Sequence, residues 1–187
     1  MAYFRYAFVL MALFALFACS DDDVKEITDD TATRIYNNIK GTYEGVVRVD
    51  NTTCPVTIIV ANDEFTIKRL PLRPILKVIF PNEKELEEAV TSAGETTTFV
   101  APVVGLAVMT NTSVLSMDPT DIVFMVTVGG KQKQVSALME AYASWNSVWD
   151  ELTVDMNVKE LFCDGQSYSL TDNRIIYYID NAHKPAE

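Results

Sequence analysis

Hydrophobic and polar positions change period several times along this chain, and those changes divide it into elements. Met1 to Phe17 is apolar except for Arg5, too short for the roughly 20 residues that span a bilayer. A polar, threonine-rich stretch follows over residues 20–33. Ile35, Tyr36 and Ile39 then fall at helical spacing before Gly41. From Gly41 the period becomes two, and a strand is expected over Val46–Val49. Val56–Ala61 and Phe65–Leu70 flank Asn62-Asp63 and read as a hairpin. Pro71 and Pro74 end that pairing, since proline cannot donate to a ladder.

Two helical pieces follow. Ile75, Leu76, Val78 and Ile79 recur at helical spacing after Pro74, which suits a first turn. Asn82 caps Glu83–Ala93, with Glu85 at the capping-box position and Gly94 as the stop. The pair is expected over one end or face of a sheet.

Period two then returns. Phe99–Val100, Val103–Thr110 and Ser113–Met117 read as short strands, and Ile122–Val128 turns through Gly129-Gly130 into Lys131–Met139. Thr153–Lys159 alternates, with Val154, Met156 and Val158 on one face. Asp164-Gly165 joins Leu161–Cys163 to Gln166–Leu170, and Arg174–Ile179 is the last strand before a frayed tail. Residues 133–151 fit two templates. Val135, Leu138, Met139, Tyr142, Trp145, Trp149 and Leu152 share a helical face, yet the Gly-Gly turn favours a returning strand. A strand to Met139 with a turn or short helix around Ser144–Asp150 is the favoured reading. The expected fold is therefore mainly β: a single antiparallel β-barrel or β-sandwich over residues 34–187, with one or two short helices. A helical turn leading into Gly41-x-Tyr43 resembles the opening of lipocalin-like barrels.

The segment before this domain carries its own chemistry. One charge, about a dozen apolar residues and a small residue before the cut make Met1–Ala18 a secretory signal. Leu16, Ala18 and Cys19 resemble a bacterial lipobox. That resemblance implies cleavage before Cys19, a diacylglycerol on its thiol and an acylated N-terminus. Ser20, Asp21, Asp22 and Asp23 are similar to the export signal of Bacteroidetes-type surface lipoproteins, which implies display on the outer membrane at the cell surface. The helix–Gly41-x-Tyr43-x-Gly45–strand opening and Phe65-x-Ile67…Pro71-Leu72 resemble a family within that class known only as a domain of unknown function. In the tether of residues 19–33, Asp30-Thr31-Ala32 resembles an O-glycosylation acceptor, which makes Thr31 a candidate.

Charge narrows the partners. The chain of 187 residues has a net charge of −11, and loss of Met1–Ala18 removes one basic residue and no acid. So acidic a chain argues against nucleic acid, whose affinity comes from neutralised phosphates. It argues equally against an electrostatic grip on anionic lipid heads, leaving acyl chains as the membrane contact.

With Cys19 assigned to lipid, Cys54 and Cys163 remain, either bonded or as two thiols. A bond would close a loop of about a hundred residues, worth ~4–5 kcal/mol in the chain-entropy model. The lone histidine, His183, sits in the expected frayed tail and is a poor catalyst. No metal set, phosphate loop, dinucleotide fingerprint or other cofactor motif is present. An enzyme is not expected, although a glycosidase needs only two apposed acids, and neither Glu44 nor Asp155 stands out as one. Tyr142, Trp145 and Trp149 could stack on a glycan, or else fill the core. A barrel interior could hold a small apolar molecule, with Met109, Met117, Met125, Met139 and Met156 suiting such a cavity. Non-enzymatic binding of a glycan or small apolar ligand leads, and a role as interaction or scaffold subunit of an outer-membrane complex is the alternative.

Overall fold

A computed structural model describes residues 29–171 and 174–185. Helix α1 (Asp29–Ile39) leads into β1 (Gly41–Val49), β2 (Thr52–Ala61) and β3 (Glu64–Pro71). Helices α2 (Arg73–Ile79) and α3 (Glu83–Ala93) precede β4 (Thr96–Val108), β5 (Thr112–Met117) and β6 (Thr120–Val128). The chain ends with β7 (Lys131–Asn146), β8 (Glu151–Cys163), the two-residue β9 (Gln166–Ser167) and β10 (Ile176–His183). Every pairing is antiparallel. Strands β1, β2, β3, β4, β5, β7, β8 and β10 close in that order into an eight-stranded barrel. Closure resolves the choice between barrel and sandwich.

Local chemistry explains the turns. Asn62 and Asp63 both hold positive φ, 51° and 60°, the twist that a two-residue hairpin requires. Asn82 accepts the N–H groups of Lys84 and Glu85 and so starts α3. The Gly41-x-Tyr43-x-Gly45 opening has a structural cause. Gly41 has φ 147°, which a side chain rarely adopts. A methyl on Gly45 would lie 2.9 Å from the Ala182 Cβ, at the bulge where β1 meets β10.

Four expectations need correction. Residues 131–146 form one strand with no helix, because β7 is the seam of the barrel. Its first half pairs with β6, its second with β5, and most of its length with β8. Val135, Ala137, Met139, Ala141, Ala143 and Trp145 point inward, so strict alternation overrides the helical coincidence. Second, β4 runs unbroken through Pro102. The Pro102 carbonyl accepts from Asp118 N–H at 2.9 Å, so its nitrogen faces the Asp118-Pro119 break and no ladder bond is lost. Third, α1 begins at Asp29, so the tether ends before residue 33. Fourth, the C-terminal segment is pinned: β10 runs to His183, and Lys184 donates to the Asn38 carbonyl at 2.7 Å.

Both mouths of the barrel are covered. At one end lie the last turn of α1, the β2–β3, β4–β5 and β7–β8 turns, and the end of β10. Ile39 is fully buried there, and the Tyr43 hydroxyl donates to its carbonyl at 2.6 Å. At the other end, α2 and α3 bury Ile75, Leu76, Ile79, Leu86, Ala89 and Val90. The Tyr177 hydroxyl donates to the Pro71 carbonyl at 2.9 Å and ties β10 to this end. Burial raises both hydroxyl pKa values, which keeps them protonated as donors. Inside, Tyr43, Phe65, Phe99, Met139, Met156 and Tyr177 interleave with Ala101, Ala137, Ala141, Ala143 and Ala182, large against small.

Candidate functional site

The residues singled out from the sequence do not meet at one place. Cys19, Ser20, Asp21, Asp22 and Asp23 lie outside the described residues. Thr31 is half-buried in the first turn of α1, so it is not on an extended tether. Cys54 and Cys163 are free thiols, on β2 and β8, with β1 and β10 between them in the sheet order. The disulfide weighed from the sequence is not formed in this structure. Burial raises the pKa of the Cys163 thiol, which lowers its reactivity.

The aromatic trio separates because a strand sends neighbours to opposite faces. Trp145 points inward at 7 % exposure, and its indole N–H donates to Asp150 at 2.8 Å. Tyr142 stands on the outer wall, its hydroxyl donating to Glu140 at 3.2 Å. Burial first, and then the Glu140 charge, raises its pKa. Trp149 sits on the β7–β8 turn and is 68 % exposed. A flat three-ring platform for a sugar is therefore absent from these three positions.

The methionines separate in the same way. Met117, Met139 and Met156 are buried among other core side chains, whereas Met109 and Met125 are exposed. Met109 belongs to a feature that the sequence reading missed. Together with Val148 and Trp149 it gives the α1 end an apolar rim. The available signal was large apolar residues at two turns, where polar residues are the rule.

The acids named earlier lie on the outside. Glu44 accepts from Thr57 at 3.0 Å and pairs with Arg69 at 3.4 Å, both charges half-exposed. Asp155 is exposed on β8 between Tyr142 and Tyr178 in the register. His183 is placed on β10, its Nε2 3.6 Å from Glu151. Among the described residues no three His, Cys, Asp or Glu side chains group as a metal site.

Two clefts open on the surface around α2 and α3. One, of about 760 Å³, lies between α3 and the β6–β7 hairpin. Glu88 and Ser92 cross it to accept the backbone N–H groups of Gly129 and Thr127, at 2.8 and 2.7 Å. These contacts dock α3 on β6. The second, of about 620 Å³, is lined by Asp50, Asn51, Lys77, Val78, Pro81 and Arg174.

The fold and its covered mouths define a closed antiparallel barrel with Tyr43, Phe65, Phe99 and Tyr177 buried inside it. The chain belongs to the DUF4840 family, a domain of unknown function whose model matches residues 38–163. That match ends before β10, the strand that closes the barrel against β1 and β8. No curated protein and no solved structure matches the chain.

Proposed function

We propose that this DUF4840 chain is a lipid-anchored outer-membrane protein that acts without catalysis, as an interaction subunit working through the outside of its barrel. The observation that carries the second half is the covering of both mouths. Where a ligand-holding barrel keeps a cavity, this one places Tyr43, Phe65, Phe99 and Tyr177, none more than 1 % exposed. Partners then meet the outer wall, where Val104, Val123 and Met125 are about half exposed or more. The anchor is supported by Leu16, Ala18 and Cys19 behind an apolar run, with Ser20–Asp23 after it as the address to the outer surface.

Two measurements test this reading. Cys19→Ala is expected to abolish labelling by radioactive palmitate and release the domain from membranes; labelling that persists would sink the anchor. Met125→Lys, with Val123→Lys, is expected to remove the cross-linked partners of the native protein from intact membranes. A cross-linking pattern unchanged by both charges would contradict use of that wall.

A further inference from the structure

The α1 end of the barrel carries three large apolar side chains where turns normally carry polar ones. Met109 closes the β4–β5 hairpin at 51 % exposure, and Val148 and Trp149 form the β7–β8 turn at 63 % and 68 %. The two turns are joined, since the Ser147 N–H donates to the Asn111 carbonyl at 3.0 Å. The second turn is also rigid: the Asn146 side chain accepts the N–H groups of Val148 and Trp149 at 2.9 and 3.3 Å. Trp149 is thus presented outward on a fixed support.

The same end receives the N-terminal segment. From Cys19 to the start of α1 at Asp29 the chain advances ten residues, a reach of at most about 35 Å. Helix α1 then delivers its last turn to the barrel mouth beside these two hairpins. A lipid on Cys19 would therefore keep the start of α1 within about 35 Å of the bilayer, with this end of the barrel next along the chain. Electrostatics cannot supply a further contact for so acidic a chain, whereas apolar and indole groups can.

We propose that Met109, Val148 and Trp149 dip into the headgroup layer of the membrane that holds the Cys19 lipid, a proposal that rests on the lipid-anchor reading above. Trp149 suits that layer, because an indole has an apolar body and one polar N–H and gathers at membrane interfaces. The charge next to Trp149 in the chain is already engaged: Asp150 accepts from the Trp145 indole and pairs with Lys184 at 3.4 Å. With its lipid in the bilayer, the domain would rest on this rim and keep its outer wall turned sideways to partners.

The test uses the full-length lipidated protein in phosphatidylcholine vesicles, with plain or brominated acyl chains. Bromine quenches indole emission at short range. Trp145 and Trp149 are the chain's only tryptophans, so contact by one should lower total emission by up to about half in brominated vesicles. In Trp149→Phe the two vesicle types should give equal emission. Equal emission from the native protein, or quenching that persists in Trp149→Phe, would overturn the proposal. A blue shift of unquenched emission as protein concentration rises would place a second copy over the rim instead, and would overturn it too. Flotation of the same samples separates the two readings. Protein that floats with its vesicles and is unquenched retains its anchor and loses the rim contact, whereas protein that floats no better than Cys19→Ala loses both.

Discussion

The two ends of the barrel are closed by unequal means. At the α2–α3 end, a helical pair buries Leu72, Ile75, Leu76, Ile79, Phe80, Leu86, Ala89 and Val90, all within the main core. At the other end α1 contributes the fully buried Ile39, with Ile35 and Tyr36 only partly covered. Polar ties supplement it: Tyr43 to the Ile39 carbonyl, and Lys184 to the Asn38 carbonyl and Asp150. Burial first, and then the nearby Asp63 charge, raises the pKa of the Tyr36 hydroxyl at this end. One end is therefore core, and the other is a lid. The lid is also the end that α1 leads into and that bears the apolar rim, so under the proposed lipid anchor stability and attachment would lie at opposite mouths.

Mutations should expose this inequality. The largest effect is expected from Leu76→Ala, which empties a fully buried site in α2 and should cost ~2–5 kcal/mol in denaturant unfolding. Ile35→Ala in α1, at a partly buried site, should cost clearly less; a larger loss there would reverse the comparison.

Next comes Tyr177→Phe. It leaves the buried Pro71 carbonyl without its donor and should cost about 1–3 kcal/mol. Its pH dependence has a defined sign. The folded pKa is raised above the ordinary 10.0, so the folded state holds the proton more tightly than the unfolded one. Stability from this group is complete below pH 10 and falls as pH rises beyond it. Unfolding measured across that range should show the fall in the native protein and a shallower one in Tyr177→Phe.

Asn82→Ala removes the cap of α3 and should cost about 1 kcal/mol. The smallest effect on global stability belongs to Lys184→Ala, about 0.5 kcal/mol or less for a partly exposed pair. Its signature should instead be local. Hydrogen exchange in α1 should quicken while α3 stays protected, because a lid can open without unfolding the barrel. Equal acceleration in both helices would show that the two ends form one cooperative unit.

How far the sequence reached follows from the same physics. Turns were readable because their chemistry is local. Asn62-Asp63, Gly129-Gly130 and Asp164-Gly165 all lie where the strands reverse, and Asn82 and Gly94 bound α3. Long-range pairing was not readable. The extent of β7 depends on β5, β6 and β8 arriving beside it, and no window of its own sequence records them. The expected strands Phe99–Val100 and Val103–Thr110 are one strand, because Pro102 turns its nitrogen toward Asp118, a neighbour distant in sequence. His183 and Lys184 looked like a loose tail because their partners on β1, β8 and α1 are distant in sequence. The candidate site suffered most. Helical spacing grouped Tyr142, Trp145 and Trp149, whereas strand geometry turned Trp145 inward and left the other two on separate surfaces. The rim of Met109, Val148 and Trp149 joins turns far apart along the chain, so only the fold could assemble it.

The most direct test is native mass spectrometry of the full protein purified from its own membranes. The account predicts a chain that begins at Cys19, carries the mass of a diacylglycerol and a further acyl group, and holds no additional small molecule. A chain that retains Met1–Ala18, or one that travels with a stoichiometric apolar ligand, would contradict the lipid anchor or the filled barrel respectively.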